Sequence, residues 1–421
     1  MSLTSHQQYS FDVIVDWFFN GGYKKQQVFT FYGPAGSGKT FLLSEFSQAL
    51  AKAKKSVSCA TFTGKAASVM ERRGMSSKTI HKLIYRPTVL SDGSVKFELD
   101  PSSPLASSDI LILDEVSMVN GELGRDLESF GVPILCCGDQ RNQLLPIEGE
   151  SHFYRDTPDT ELTEVVRQAL DSPIIAAATA IRQDPSVDLR QFRNQDFGVI
   201  PRSKMDDRIL LAADQVLCGM HKTRIQINKR INAVKNEGML PTVGSKILIT
   251  RNNDELGLMN GETAWVESIE YFDLNQTIKL VESRMDKADN EKHHKKGKQA
   301  LAYLRSSTAT PRFFKATIRK DGEVKTIDVY IMVAEFEKDW TMQKTPTDVW
   351  RADEAIYSVL NACYAQYGYA VSVHKAQGSE WPKVLMVDDG FGSWGDDSWD
   401  TRRRWLYTGV TRASEKFVMV K

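Results

Sequence analysis

Short apolar runs separated by polar or amphipathic stretches organise the first third of the chain. Residues 28–32 (Val-Phe-Thr-Phe-Tyr) read as a strand, and residues 41–53 follow without Gly or Pro and read as a helix. Residues 56–62, 110–114 and 133–138 are further strand candidates. Apolar runs alternating with helix-like segments predict a parallel sheet with helices on both faces. A second series begins at Gln215-Val216-Leu217-Cys218 and resumes at 383–387. Between them the texture changes. Residues 246–250 and 263–271 look like strands, and 276–282 alternate polar and apolar positions as a strand would. Residues 312–320 and 323–333 flank Asp321-Gly322 and predict a hairpin. The expectation is two α/β domains with a mainly β insertion inside the second. Residues 286–298 are charged and include Lys292-His293-His294-Lys295-Lys296, which reads as a solvated loop ahead of a metal site. No repeat of solenoid period is present.

Composition changes this picture little. A chain of 421 residues suggests about three domains, and 41% hydrophobic residues suit sizeable cores. Lys+Arg and Asp+Glu both total 54, so there is no net charge to favour nucleic acid, although a basic groove can sit on a neutral protein. The five cysteines, Cys59, Cys136, Cys137, Cys218 and Cys363, include no C-x-x-C pair. This pattern points to buried thiols in a reducing compartment, without a disulfide framework or zinc site. No apolar run reaches membrane-spanning length and the N-terminus lacks a signal-peptide pattern, so a cytoplasmic location is expected.

Candidate chemistry is concentrated in a few segments. Gly33-Pro34-Ala35-Gly36-Ser37-Gly38-Lys39-Thr40 matches G-x-x-x-x-G-K-[ST] at every fixed position, between a strand and a helix. The glycines let backbone N–H groups turn inward toward phosphate oxygens, and the helix N-terminus adds favourable partial charge. Lys39 would reach the β- and γ-phosphates, and Thr40 would ligate Mg²⁺. Asp114-Glu115 closes the apolar run 110–114. Asp114 can hold the Mg²⁺ shell, and Glu115 can take a proton from an attacking water. Gln143 ends a segment beginning at Gly138-Asp139 and is placed to sense a γ-phosphate; Arg167 lies in Leu162-Thr163-Glu164-Val165-Val166-Arg167. Far downstream, Tyr407-Thr408-Gly409-Val410-Thr411-Arg412 offers Arg412 as an arginine finger.

The series of segments resembles the motifs of superfamily 1 helicases of the RecD-like, 5′→3′ branch, such as those of large tailed bacteriophages. The likeness rests on Leu3-Thr4-Ser5-His6-Gln7, the phosphate loop, Phe62-Thr63-Gly64-Lys65-Ala66-Ala67, Thr79-Ile80-His81, Asp114 to Met118, Leu162 to Arg167, His374-Lys375-Ala376-Gln377-Gly378 and Tyr407 to Arg412, all in family order. It implies an α/β fold of two RecA-like parallel-sheet P-loop domains, with a β-hairpin pin in the first and an SH3-like β insertion in the second. The implied boundaries are 1–180 with a pin at about 86–100, then 181–245 plus 355–421, with the insertion at 246–354.

The resemblance also implies roles. Gln7 would recognise the adenine edge. Gly33, Gly36, Ser37, Gly38, Lys39, Thr40, Asp114, Glu115, Gln143 and Arg167 would form the first-domain side of an ATP site, and Glu380 and Arg412 would close it. Phe62, Thr63, Lys65, Thr79 and His81 match first-domain DNA motifs; Ser372, His374 and Lys375 match second-domain ones. Their hydroxyl and cationic groups suit phosphate contacts. Phe97, in 88–99 after Asp92-Gly93, falls where a pin aromatic would stack at a fork or pack the hairpin, and both readings stand. Three departures from the family pattern occur: Phe62 replaces a usual proline, the 138–143 segment is one residue longer, and Ser372 replaces threonine. The implied activity is an ATP- and Mg²⁺-dependent 5′→3′ DNA helicase, monomeric, acting on single-stranded and fork DNA beside single-strand-binding or replication proteins. Alternatives are a translocase that strips proteins with little unwinding, an RNA helicase, and an ATP-switched nucleic-acid-binding protein. The set Glu115, Arg167 and Arg412 argues against the last.

Overall fold

The computed structural model describes residues 3–89, 95–139, 141–145, 151–164, 171–253, 255–286, 291–306, 310, 312–392 and 398–421. Helix α1 (Ser5–Phe19) starts on a capping box: Gln7 N donates to Thr4 Oγ1 and Thr4 N to Gln7 Oε1. Strand β1 (Val28–Tyr32) leads through the phosphate loop into α2 (Lys39–Lys52). Next come β2 (Val57–Thr61), α3 (Gly64–Arg72), β3 (Ser77–Thr79), α4 (Ile80–Ile84), and the strands β4 (Tyr85–Val89) and β5 (Val95–Leu99). The segment closes with β6 (Ile110–Asp114), α5 (Gly121–Glu128), β7 (Ile134–Gly138) and β8 (Thr160–Glu161). The strands form a parallel sheet in the order β3-β2-β6-β7-β1-β8. Its two faces follow from side-chain alternation along each strand. Ile110, Ile112, Leu135 and Cys137 pack with Trp17, Leu42 and Phe46 of α1 and α2. Leu111, Leu113, Ile134 and Cys136 pack with Ile84 and Leu123 of α4 and α5. Where the hairpin was expected, β4 and β5 pair antiparallel, from Tyr85↔Leu99 to Val89↔Val95. The Asp92-Gly93 turn lies outside the described residues.

Helix α6 (Pro173–Gln183) and strands β9 (Phe197–Ile200) and β10 (Gln215–Cys218) open the second series. Then follow α7 (His221–Val234), β11 (Lys246–Ile249), β12 (Thr263–Tyr271), α8 (Leu274–Asp286), α9 (Glu291–Leu304), β13 (Phe313–Lys320), β14 (Thr326–Met332), α10 (Ala334–Thr341), α11 (Thr347–Leu360), β15 (Cys363–Tyr367) and β16 (Ala370–Ser372). The chain ends with β17 (Trp381–Val387), α12 (Ser398–Val410) and β18 (Ala413–Val420). It packs as two compact units. One comprises Met1–Asp206, Ala212–Gly219 and Val373–Lys421; the other, Asp207–Leu211 and Met220–Ser372. The first unit holds the sheet described above and a second parallel one, in which β10, β17, β18 and β9 are neighbours in that order. In the other unit β11, β12, β13, β14 and β15 close into a barrel. The Asp321-Gly322 hairpin joins β13 to β14, with Gly322 at φ 80° as such a turn requires.

Two sequence expectations are corrected in this unit. Residues 276–282 are helical, not a strand: Thr277, Val281 and Met285 recur every four positions on the buried side of α8. The charged segment 286–298 is not a loop where it is described, since α9 begins at Glu291. Its apolar face is set by Gly297, Ala300, Leu301 and Leu304, while Glu291, Lys295 and Lys298 are exposed. A Cβ on Gly297 would lie 2.1 Å from Met285 Sδ, so a larger residue there displaces that flexible side chain. The insertion therefore carries helices on its barrel and is not mainly β. All five cysteines are free and buried. Among the described residues no helix is long and apolar enough to cross a membrane.

Candidate nucleotide site and nucleic-acid interface

The phosphate loop hangs between the C-terminal end of β1 and the first turn of α2. Gly33 N donates to Gly138 O (3.1 Å), tying the loop to the end of β7. A Cβ on Gly33 would stand 2.6 Å from Ser37 Oγ. Gly36 and Gly38 adopt φ of 77° and 87°. These left-handed residues curl the loop so that its amides line a concave surface. Lys39 Nζ and Ser37 Oγ both donate to Pro34 O, at 3.0 and 2.8 Å. Thr40 is half-buried in the first turn of α2. Gln7 is buried against this loop and its Nε2 donates to Ser37 O (3.0 Å), so both ends of its amide are engaged.

Asp114 ends β6, and Glu115 follows at φ 56°, a left-handed conformation costing a non-glycine residue on the order of 1–3 kcal/mol. Glu115 N donates to Asp114 Oδ1 (2.8 Å). Burial raises the pKa of both carboxyls, and for Glu115 the Asp114 charge adds to it; the positive charges of Arg412 and Lys39 oppose that rise. The phosphate loop, the acidic pair and the arginine from the second sheet thus share one electrostatic neighbourhood. Buried Gln143 accepts from Ser117 Oγ through Oε1 (3.2 Å), just beyond Glu115. Arg412, also buried, donates to Thr408 O (3.0 Å), Ser379 O (3.1 Å) and Thr411 Oγ1 (3.1 Å). Glu380 is exposed, next to Ser379. Arg167 lies outside the described residues.

Thr63 Oγ1 caps α3 by accepting from Ala66 N (3.2 Å), and Thr79 Oγ1 caps α4 by accepting from Lys82 N (3.3 Å). Lys65 sits on α3, and Phe62 is half-buried against the layer under the sheet. His81 is exposed, its ring 5.5 Å from that of Tyr85. In the second half, the His374 ring meets Phe391 edge-on at 5.4 Å, and burial lowers its pKa. Lys375 is exposed, and Ser372 ends β16. Gly378, at φ 69°, brings the 374–378 segment against the 62–67 segment: a Cβ there would lie 2.7 Å from Thr63 Oγ1. Phe97 on β5 is 59% exposed, opposite Pro87, which favours an available ring over a packing one.

Several residues were missed by the sequence reading. Tyr407 and Thr408 lie inside a motif noted only for Arg412, and the run Arg402-Arg403-Arg404 was a visible signal. All but Arg402 of these reach the 139–144 loop or the phosphate loop.

Residues 23–197 match a family described as an AAA domain, and residues 367–420 one described as a UvrD-like helicase C-terminal domain. The chain is 32% identical over 193 residues to the ATP-dependent DNA helicase dda of Enterobacteria phage T4, covering 43% of this chain and 42% of that protein. It is 32% identical over 154 residues to the ATP-dependent RecD2 DNA helicase of Deinococcus radiodurans, covering 35% of this chain and 20% of that protein. The chain therefore spans less than half the length of these relatives. The crystal structure of Bacteroides Pif1 bound to ssDNA is similar in fold, with a TM-score of 0.54 at 18% identity, covering 100% of this chain and 92% of that one. The shared fold is an α/β one built on parallel RecA-like sheets.

Proposed function

We propose that this chain, a member of the superfamily 1 helicases of the RecD, Pif1 and Dda type, is an ATP-dependent DNA helicase that moves 5′→3′ on single-stranded DNA and opens duplex at a pin. The observation that carries this reading is the convergence at Glu115: the charges of Lys39 on the first sheet's phosphate loop and of Arg412 beside the second sheet both act on its carboxylate. A binding protein has no need of a buried carboxylate held in a strained turn within the field of two such cations; a hydrolase does.

In this proposal the loop amides and Lys39 hold the β- and γ-phosphates, and Gln7, seated on Ser37 O, borders the adenine. Among the described residues no group of three His, Cys, Asp or Glu side chains could hold a metal. The hydroxyl of Thr40 and the carboxylate of Asp114 fit a Mg²⁺ ion whose remaining shell is phosphate and water. Mg²⁺ would neutralise charge on the phosphate oxygens. Water attacks the γ-phosphorus as the bond to ADP breaks, and its proton passes to the Glu115 carboxylate. Gln143, Arg167, Glu380 and Arg412 complete the site, with Arg412 meeting charge that develops in the transition state. Residues 1–180 form one motor domain, parts of 181–245 and 355–421 the other, and 246–354 an SH3-like insertion whose barrel borrows its closing strand, Cys363–Tyr367, from the 355–421 segment. Thr63, Lys65, Thr79 and His81, with Phe62 shaping the path, grip phosphates from the first. Ser372, His374 and Lys375 grip them from the second. Phe97 on the β4–β5 pin stacks at the fork. The protein works as a monomer in the cytoplasm, on single-stranded and forked DNA.

Steady-state ATP hydrolysis with and without single-stranded DNA tests this assignment. The expected result is a sharp rise with DNA and a loss of affinity with salt as counterions are released. A rate indifferent to any nucleic acid would favour an ATP-switched binding protein instead.

A further inference from the structure

Helix α12 holds the loop after β7 through a set of hydrogen bonds that catalysis as described above does not use. Arg403 donates to Asn142 Oδ1 (2.9 Å) and Arg141 O (2.5 Å), and Arg404 donates to Gln143 O (2.9 Å). Leu144 N donates to Thr408 Oγ1 (3.1 Å), and Gln377 Nε2 donates to Leu144 O (3.0 Å). Tyr407 lies deep beside them. Its hydroxyl donates to the Asp139 carboxylate and accepts from the phosphate-loop amide Ala35 N at 2.7 Å. Tyr407 is 1% exposed and Asp139 3%. Buried polar oxygens need donors around them; for Asp139 they are Tyr407 and Asn142, whose Nδ2 lies 2.5 Å from Asp139 Oδ1.

The same helical turn braces Arg412. Arg412 Nε donates to Thr408 O, and Thr411 Oγ1 donates to Tyr407 O (2.9 Å) and also carries a bond from Arg412 Nη2. A short chain of contacts therefore runs from Ala35 N through Tyr407 and Thr408 to the Arg412 guanidinium. We propose that Tyr407 is a positioning residue for ATP hydrolysis: its hydroxyl, shared between the Ala35 amide and the Asp139 carboxylate, registers α12 on the phosphate loop and so sets where Arg412 meets the γ-phosphoryl group. The proposal rests on the reading of Arg412 as the arginine finger. Removing the hydroxyl leaves ground-state nucleotide contacts in place and loosens only the group that acts in the transition state.

The test uses the full chain as Tyr407→Phe, Arg412→Ala and the double variant, with saturating single-stranded DNA. Single-turnover hydrolysis, ADP affinity and affinity for ADP–aluminium fluoride are measured on each, with thermal melting alongside. Tyr407→Phe is expected to slow the chemical step by about tenfold or more, the factor corresponding to a hydrogen bond with a charged partner. It should weaken ADP–aluminium fluoride binding while ADP affinity stays within about twofold, and it should add less than about twofold to the defect of Arg412→Ala. Three outcomes overturn the proposal: a parental hydrolysis rate, a full additional loss in the Arg412→Ala background, or an equal loss of ADP and analogue binding with early melting, which would make Tyr407 a packing residue. If Arg412→Ala alone hydrolyses at the parental rate, the finger reading itself is what fails.

Discussion

Gly378→Ala probes a contact between two of the segments proposed to grip DNA, 374–378 and 62–67. The substitution has two separable costs. The first is conformational: Gly378 sits at φ 69°, and a left-handed alanine costs about 1–2 kcal/mol. The second is local: the new Cβ would lie 2.7 Å from Thr63 Oγ1 and 2.9 Å from Ala66 Cβ. Thr63 cannot give way freely, because its hydroxyl caps α3 through Ala66 N, and a lost cap costs about 1 kcal/mol. The conformational cost is carried whether or not DNA is bound and should appear as a lower melting temperature. The contact cost falls on the arrangement in which the 374–378 segment meets Thr63; if single-stranded DNA selects that arrangement over more open ones, about 1–2 kcal/mol of it should appear as a roughly fivefold to thirtyfold weaker Kd. Gly74→Ala is the control. Gly74 has φ 84°, but a Cβ there would meet nothing within 4 Å, so it carries the first cost alone. Fluorescence anisotropy with a labelled oligonucleotide measures both variants. A Gly378→Ala Kd within about twofold of the parent, or an equal weakening by Gly74→Ala, would refute the contact as part of the DNA grip.

Lys39→Ala should abolish ATP hydrolysis while keeping most of the single-strand affinity, since Lys39 serves phosphate and other residues serve DNA; turnover near the parental rate would contradict this. Glu115→Gln should bind ATP and DNA but slow single-turnover hydrolysis by about 10²–10⁴-fold, because an amide cannot take the water's proton; a small effect on the chemical step would put the general base elsewhere. Phe97→Ala should slow duplex separation while DNA-stimulated hydrolysis persists. With its ring 59% exposed, the melting temperature should not move, and equal losses of hydrolysis and unwinding would make Phe97 a structural residue.

What could be read from the sequence was what local spacing encodes. The strand–loop–helix frame of Gly33 to Thr40 and the Asp114-Glu115 pair at the end of β6 are set by contiguous residues, and both stand where their spacing put them. The Asp321-Gly322 hairpin is similarly local. Helix α8 was misread because short amphipathic stretches satisfy alternation by chance, and the i, i+4 spacing of Thr277, Val281 and Met285 emerges only over three turns; α9 was misread because its run of charges looks like a solvated loop until its spaced Ala300, Leu301 and Leu304 are counted. Barrel closure by Cys363–Tyr367, which pairs with β11 and β14, has no local mark. The bond between Ala35 N and Tyr407 joins residues separated by 372 positions, beyond any spacing rule. Gln7 stood out in the sequence only through the resemblance, and neither its capping bond with Thr4 nor its bond to Ser37 O was read there.

Strand separation on tailed duplexes tests the central claim most directly. The same duplex is presented with a 5′ single-stranded tail, a 3′ tail or blunt ends, in DNA and in RNA, with ATP and Mg²⁺. The account predicts ATP-dependent unwinding of the 5′-tailed DNA alone. Unwinding that requires a 3′ tail, or proceeds equally well on RNA, would contradict it, and DNA-stimulated hydrolysis without any strand separation would identify a translocase.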